Sequence, residues 1–235
     1  MSVNVAVLFD LDGTLIDSSR DLTAAANVML ATVEHPAVTL QQVESWIGHG
    51  LEPLVHRCLT GSMDGRAEEG IFKKAIEVFR AAYLDGGFQE TRCHEGAIQL
   101  LNALNNEGFV SGLVTNKDTK PTQAVLRHLG LGNMFEAVVC GDTLPRKKPD
   151  AAPILHALQL CKTTSGWMIG DSQTDAAASA AAGIGFIGIR GGYGCGEPPE
   201  TFPGPPVLLI QSLLELLDVD GRPIEMLGRP EAFSG

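Results

Sequence analysis

The chain has 235 residues, of which 44% are hydrophobic and 19% charged, and its formal net charge at pH 7 is −11. This balance predicts a folded protein with a sizeable core, long enough for one domain of typical size plus a smaller inserted unit. Because an anionic surface repels phosphate backbones and acidic lipid headgroups, we expect neither nucleic acids nor membranes as partners.

The predicted strands are short apolar runs, which are typical of strands buried on both faces of a parallel sheet. The first run, residues 5–9, leads directly into Asp10. Helical patterns lie between the later runs, which are residues 109–114, 137–140, 167–170, 186–189 and 207–210. This alternation from about residue 95 onward predicts an α/β fold with a Rossmann-like, doubly wound parallel sheet.

The segment between about residues 18 and 88 interrupts that alternation. It contains no strand-like run, but it carries apolar stripes at helical spacing, and Thr39 with Gln42 forms a plausible capping box. We therefore expect a core domain made of residues 1–16 and 89–220 and an all-helical inserted cap at 17–88. The remaining residues, 221–235, are rich in Gly and Pro and should form a tail with little regular structure.

Two carboxylates, Asp10 and Asp12, follow the first buried strand. Such a pair is costly unless a cation or hydrogen bonds compensate it, and Gly13 permits a tight turn behind it. Open α/β sheets bind their ligands at these strand ends. A capped turn would explain a bare DxD, but the preceding strand and the following Gly-Thr-Leu favour a functional site.

The segment from Asp10 to Leu15 resembles the first motif, DxDGT, of the haloacid dehalogenase-like (HAD) superfamily of phosphohydrolases. Three further motifs of that superfamily follow in order. They are Thr115 after a strand, Lys148 before a proline, and the acidic residues Asp171 and Asp175 after another strand. The resemblance covers nearly the whole chain except the tail, and it implies a HAD core with a helical cap of the C1 type.

The resemblance implies that Asp10 is the nucleophile that attacks phosphorus, forming an aspartyl-phosphate, and that Asp12 is the general acid. It also implies that Mg²⁺ is held by an oxygen of Asp10, the backbone carbonyl of Asp12 and Asp171. Asp175 would order a metal-bound water or hold the lysine. Magnesium prefers oxygen ligands and keeps several waters, so two protein carboxylates suffice.

Thr115 and the amide of Asn116 would bind the phosphoryl oxygens, and Lys148 would place a positive charge beside them. Each residue has a structural alternative. Thr115 and Asn116 could cap a helix, Lys148 could be a solvated surface lysine, and the two acidic residues after the later strand could cap the helix that follows them. Lys147 is a rival for the catalytic position, and Lys148 is preferred because the lysine of the family commonly precedes proline.

Residues 183–188 match the GxGxxG pattern of dinucleotide-binding proteins. That fingerprint requires a strand, then the glycines, then a helix. Here the glycines follow a predicted helix and lead into a predicted strand. We therefore interpret Gly183 as a helix C-cap and expect no nucleotide site there.

The segment Trp46 to Gly50 lies between two predicted cap helices and resembles the cap loop of phosphoglycolate phosphatases, which often reads Trp-x-Gly-x-Gly. This resemblance makes 2-phosphoglycolate the first choice of substrate and implies that Gly48, His49 and Arg57 contact it. Two alternatives stay open: His49, which stands where the subgroup often has Asn, could be an ordinary loop residue, and Arg57 could pair structurally.

The fold alone does not prove this activity. One alternative is a phosphomutase similar to β-phosphoglucomutase, which would use Asp10 and Asp12 in the same way, and another is a non-catalytic binding protein on the HAD fold. A haloacid dehalogenase is disfavoured because Asp12 is present. The scattered cysteines form no CxxC pair, and neither a signal peptide nor an apolar run of about 20 residues is present, so we expect a cytoplasmic enzyme. The sequence predicts no particular oligomeric state.

Overall fold

A computed structural model of the protein describes residues 5–194, 201–202 and 208–228. Six parallel strands form one sheet in the order β5-β4-β1-β6-β7-β8. Their bounds are β1 Val5–Phe9, β4 Val110–Val114, β5 Ala137–Val139, β6 Ser165–Gly170, β7 Gly185–Ile189 and β8 Leu208–Ile210. The predicted doubly wound sheet is therefore confirmed; of the last predicted strand, residue 207 lies outside the described residues.

The strand order places a topological switch point beside β1. After β1 the chain builds β4 and β5 on one side, then returns to build β6, β7 and β8 on the other. In open α/β sheets, ligands bind where the order reverses, outside the carboxyl ends of the strands. All five residues of β1 are buried, which explains why its sequence is a continuous apolar run rather than an alternating one.

Four helices flank the sheet. Helices α5 (Ala97–Asn106) and α6 (Thr119–His128) pack on the face that presents Val7 and Phe9, and α7 (Ala152–Leu160) and α8 (Gln173–Ala182) cover the face that presents Ala6 and Leu8. Helix α8 ends at Gly183, whose φ of 70° is the left-handed conformation of a C-cap. The GxGxxG segment thus follows a helix and enters β7, as the sequence predicted.

The segment between the first strand and the rest of the sheet is helical. Its helices are α1 Ser19–Thr32, α2 Leu40–Trp46, α3 Leu51–Thr60 and α4 Glu69–Asp85. Thr39 and Gln42 form the expected capping box at α2. On either side of the helices, two short antiparallel strands, β2 (Ile16–Asp17) and β3 (Arg92–Cys93), pair with each other. We propose that these helices form the cap, with the bounds 17–88.

The described part of the tail is more ordered than its composition suggests. Residues Glu225–Gly228 form a turn of 3₁₀ helix, and Leu227 is fully buried against the core. The indole Nε1 of Trp167 donates a hydrogen bond of 3.2 Å to the carbonyl of Leu227. The buried Leu227, this hydrogen bond and a backbone bond of 3.0 Å from the Ile224 N–H to the carbonyl of Leu216 hold the segment, although its sequence has little periodicity. No helix among the described residues is long and apolar enough to cross a bilayer.

Candidate active site

Three polar residues lie directly beyond the carboxyl ends of adjacent strands: Asp10 after β1, Thr115 after β4 and Asp171 after β6. The backbone N–H of Asp10 bonds to Ile169 O and that of Thr115 to Val139 O, both at 2.9 Å. These bonds continue the sheet ladder by one residue, so the side chains are held where the regular strands stop. All three residues are buried.

Lys148 lies at the centre of this site. Its Nζ is 2.9 Å from Asp10 Oδ1 and 2.6 Å from Asp175 Oδ1, and it donates to the carbonyl of Val114 at 2.6 Å. Burial alone would lower the pKa of Lys148, but Asp10 and Asp175 outweigh it and raise that pKa. The ammonium therefore stays charged and points at the carboxylate predicted to be the nucleophile.

The neighbouring lysine lies elsewhere. The side chain of Lys147 is 36% exposed, and its Nζ is 3.6 Å from Asp118 Oδ1. The structure thus brings Lys148, and not Lys147, against Asp10, which is the choice made from the sequence.

Asp10, Asp171 and Asp175 form a buried carboxylate cluster in which one oxygen of each lies within 4.8 Å of the others. Burial raises the pKa of Asp10 and of Asp171, and the neighbouring carboxylates raise both further. Lys148 supplies a single positive charge to three acidic groups. Because the cluster offers only carboxylate oxygens and carries excess negative charge, its chemistry fits a hard divalent cation.

Backbone and hydroxyl donors orient Asp171. Its Oδ1 accepts from Thr14 Oγ1 at 3.0 Å, and its Oδ2 accepts from the amides of Tyr193 at 2.7 Å and Gly194 at 3.0 Å. Two glycines make room for it, because a Cβ at Gly13 or Gly192 would collide with the Asp171 carboxylate. Gly13 also has a φ of 91°, a conformation that favours glycine.

Asp175 contacts both Lys148 and the N-terminus of helix α8. Its Oδ1 accepts from Lys148, while its Oδ2 accepts from the backbone N–H and the hydroxyl of Ser172 in the capping box of α8. Asp175 therefore takes part in the cap of α8, which was the structural alternative, and also makes the predicted contact with Lys148. For Thr115 and Asn116 the helix-cap alternative is wrong, because α6 begins at Thr119 with Asp118 as its N-cap residue.

The Asp12 side chain is not a member of the carboxylate cluster and has partners of its own. Its Oδ1 accepts from Ser18 Oγ at 2.5 Å, and both of its oxygens accept from Lys117 Nζ, at 2.9 and 3.1 Å. The metal ligation inferred from the family uses the backbone carbonyl of Asp12 and stays a prediction. Lys117 was missed as a site residue, although its place two positions after Thr115 was a usable signal.

The side chain of Asn116 joins three parts of the site. Its Nδ2 donates to the carbonyls of Gly48 and Lys148, each at 2.9 Å, and its Oδ1 accepts from the backbone N–H of Lys148 at 3.0 Å. One amide group therefore connects the cap loop to the lysine that contacts Asp10. The phosphate contact predicted for Asn116 concerns its backbone amide and stays a prediction.

The structure does not bring His49 or Arg57 to the cavity between cap and core. The guanidinium of Arg57 is buried and donates to the carbonyls of Trp46 at 2.7 Å and Met63 at 3.0 Å, and its Nη1 lies 3.3 Å from His49 Nδ1. Arg57 therefore holds the cap loop in place, which is the structural alternative. Gly48 does line the cavity.

This cavity has a volume of about 460 Å³ and lies between the carboxyl edge of the sheet and the helical segment. Polar groups line the core side, whereas the helices contribute mainly apolar side chains. The polar set includes Asp10, Asp12, Thr115, Asn116 and Lys117, and the apolar set includes Leu51, Leu54, Phe79 and Leu84. A small polar molecule reaching Asp10 would thus be shielded from water on its far side.

A family model described as haloacid dehalogenase-like hydrolase matches residues 7–189. Among curated proteins, the phosphoglycolate phosphatase of Nitrosospira multiformis is 40% identical over 194 residues, covering 82% of this chain and 86% of that protein. The phosphoglycolate phosphatase of Pseudomonas putida is 36% identical over 214 residues, covering 90% of this chain and 78% of that protein.

Among solved structures, a predicted phosphoglycolate phosphatase from Haemophilus somnus superposes with a TM-score of 0.82 at 28% identity, covering 91% of this chain and 96% of that one. The likeness extends over both the sheet and the helical segment. The fold therefore agrees with the relatives found from sequence.

Proposed function

This chain belongs to the haloacid dehalogenase-like hydrolase family, and from that premise we propose that it is a Mg²⁺-dependent phosphatase that hydrolyses 2-phosphoglycolate. The observation that carries the proposal is the 2.9 Å contact between Asp10 Oδ1 and Lys148 Nζ at the switch point of the sheet. A buried carboxylate held by a buried ammonium is prepared to approach an anionic phosphoryl group, which an isolated carboxylate would repel.

In the first step, a carboxylate oxygen of Asp10 attacks phosphorus and the bond from phosphorus to the leaving oxygen breaks. Asp12 gives its proton to that oxygen, and glycolate departs. Lys148 offsets charge on the phosphoryl oxygens, and Thr115 with the amide of Asn116 binds them. The apolar cap side chains exclude water and so strengthen each of these interactions.

In the second step, water attacks the phosphorus of the aspartyl-phosphate on Asp10. Asp12, now a carboxylate, takes a proton from that water, and the bond from phosphorus to the Asp10 oxygen breaks. Inorganic phosphate leaves and both aspartates return to their starting states. Asp12 can act first as an acid and then as a base because it donates a proton in the first step and accepts one in the second.

The metal we propose is Mg²⁺, held by Asp10, Asp171 and the backbone carbonyl of Asp12, with Asp175 beside it. When bound, it neutralises negative charge on the phosphoryl group. The fit rests on the buried, oxygen-only carboxylate cluster, whose excess negative charge Lys148 alone does not balance. Asp171 is fixed by three hydrogen bonds, so its oxygens are already oriented for a ligand.

The choice of 2-phosphoglycolate follows the curated relatives, which carry that activity in their names at 36–40% identity. We also propose a cytoplasmic location, because Cys58, Cys93, Cys140 and Cys161 are free thiols, which suits a reducing compartment.

Phosphate release from 2-phosphoglycolate with Mg²⁺ tests this proposal, and Asp10→Asn is the decisive variant because it keeps the shape and replaces the nucleophilic carboxylate by a neutral amide. We expect release by the wild type and by the control Asp64→Asn, whose side chain is exposed, and none by Asp10→Asn. Release that survives Asp10→Asn would overturn the mechanism. Interconversion of sugar phosphates without release would favour the phosphomutase alternative.

A further inference from the structure

Lys117 is a buried cation beside the reacting groups that the proposed mechanism does not use. Its side chain is 8% exposed, it lines the cavity, and its Nζ contacts both oxygens of Asp12. The other cations lining the cavity differ. Arg80 is 44% exposed and pairs with Glu77 and Asp118, and Lys120 is exposed. Among the described lining residues, Lys117 is thus the buried cation next to the position of the leaving oxygen.

The cap positions this lysine. Nζ of Lys117 lies over the ring of Tyr83, 4.7 Å from its centroid, and Tyr83 belongs to cap helix α4. The Tyr83 hydroxyl is buried and makes no hydrogen bond of 3.5 Å or less among the described residues; its oxygen interacts with Lys117, which donates but cannot accept, so its O–H has no acceptor. Burying an unpaired hydroxyl costs about 1–3 kcal/mol, so an acceptor arriving with a ligand would remove a penalty that the free protein carries.

The chemistry of the substrate fits these two donors. In the proposed mechanism the leaving oxygen hydrogen-bonds to Asp12, and Lys117 Nζ lies one further hydrogen bond away, at 2.9 Å. In 2-phosphoglycolate the carboxylate is separated from the leaving oxygen by a single CH₂ group, so an oxygen of it can meet Nζ. The apolar cap walls exclude water and make such a charge pair stronger than it would be in solvent.

We propose that Lys117, held over the ring of Tyr83, is the specificity-determining residue that selects phosphate esters bearing a carboxylate one carbon from the ester oxygen, with the Tyr83 hydroxyl as a second donor. This inference rests on the proposed function and names how the same site recognises its leaving group. It differs from a purely structural role, in which Lys117 would only hold Asp12.

The test compares two substrates that differ at one group, 2-phosphoglycolate and ethyl phosphate, in which a methyl replaces the carboxylate. We expect the wild type to prefer 2-phosphoglycolate by at least about 100-fold in kcat/KM, which is the size of a buried charge pair. Lys117→Met should reduce the preference to less than about tenfold, and Lys117→Arg should keep an intermediate preference because it retains the charge. Lys73→Met, a matched change at a side chain that is 71% exposed and does not line the cavity, should behave as the wild type.

Tyr83→Phe is the second variant, because it leaves the contact between Lys117 and Asp12 in place. The O–H has no acceptor within 3.5 Å among the described residues of the free protein, so its loss should leave the melting temperature unchanged or higher. It should still reduce the preference for 2-phosphoglycolate by about threefold to tenfold, the share of one hydrogen bond.

The outcomes separate the two proposals. If the wild type releases no phosphate from 2-phosphoglycolate, the proposed function fails. If the wild type does release phosphate but Lys117→Met lowers kcat/KM for both substrates by the same factor, Lys117 only positions Asp12 and the inference is overturned. A Tyr83→Phe variant with unchanged preference would remove the hydroxyl from the subsite. If Lys117→Met does not fold, the preferences of Lys117→Arg and Tyr83→Phe for 2-phosphoglycolate over ethyl phosphate still decide whether the inference holds.

Discussion

Asp175 Oδ1 accepts a 2.6 Å hydrogen bond from Lys148, while its second oxygen caps the first turn of helix α8. The N3 residue of this helix, which completes the capping box with Ser172, is therefore also the residue that holds the central lysine. Because Asp175 is fully buried, neither contact has a solvent replacement.

Asp175→Asn should reduce both stability and activity. An amide keeps the size but loses the charge that faces Lys148, and breaking a buried ion pair costs about 3–5 kcal/mol. We expect a loss of that order in the free energy of unfolding, measured by denaturant titration, and at least a 100-fold fall in kcat/KM. Glu69→Gln is the control, because its ion pair with Lys73 is 71–77% exposed and should contribute less than about 1 kcal/mol. Equal losses in the two variants would contradict this account.

Gly192→Ala should weaken the metal site. A Cβ there would collide with the Asp171 carboxylate, although the backbone at Gly192 lies outside the left-handed region, so the effect is steric alone. We expect the Mg²⁺ concentration for half-maximal activity to rise at least tenfold, because a displaced ligand commonly costs about 10–100-fold in affinity. Gly132→Ala, where an added Cβ meets nothing within 4 Å, should leave the Mg²⁺ titration unchanged.

Asn116→Ala should disconnect the cap loop from Lys148. It leaves the carbonyls of Gly48 and Lys148 and the amide of Lys148 without their partner, at about 1–3 kcal/mol for a buried group. We expect a fall in melting temperature and a lower kcat for 2-phosphoglycolate. Asn105→Ala, on the exposed side of α5, is the control. A normal kcat in Asn116→Ala would show that the loop and the lysine hold their places independently.

The stability of the metal-free protein should fall as pH rises. Burial raises the pKa of Asp171 to about 6 and that of Asp10 to about 8, from 3.8. Between the unfolded pKa of 3.8 and these folded values, the folded state binds more protons than the unfolded state. The stability that the two aspartic acids contribute is therefore complete below pH 3.8 and is lost as pH rises through about 6 to 8. Thermal melts with a chelator should show this decline, and Mg²⁺ should remove it, with a larger effect at higher pH. Asp171→Asn should flatten the lower part of the profile, and a metal-free melting temperature that rises over this range would contradict the prediction.

The strand ends were predictable because each strand of this sheet is a short apolar run that stops at a polar residue. Asp10, Thr115 and Asp171 could be located in this way, since parallel strands bring their carboxyl ends to one edge. Lys148 was harder to choose from the sequence, because Lys147 beside it has the same chemistry. Its selection rested on the following proline, and only packing distinguishes the two side chains.

The contacts between the cap and the core could not be predicted from the sequence. The contact of Lys117 with Asp12 joins residues 105 positions apart, and the place of Tyr83 over that lysine depends on how α4 packs against the core. The sequence left two interpretations of Arg57 open for a related reason. Its helix was predictable, but its guanidinium binds the carbonyls of Trp46, at the end of α2, and Met63, in a loop, and no local pattern brings these carbonyls to it.

The pairing of Ile16 with Cys93 and of Asp17 with Arg92 has a consequence for the evolution of the protein. The chain enters and leaves the helical segment at neighbouring backbone positions, so a short turn could join β2 to β3 directly. The order of the six parallel strands would not change if the intervening helices were shortened, lengthened or exchanged. If the proposed roles hold, substrate choice in this architecture can diversify by replacing the helical segment, while the proposed phosphoryl-transfer residues on the sheet stay where they are.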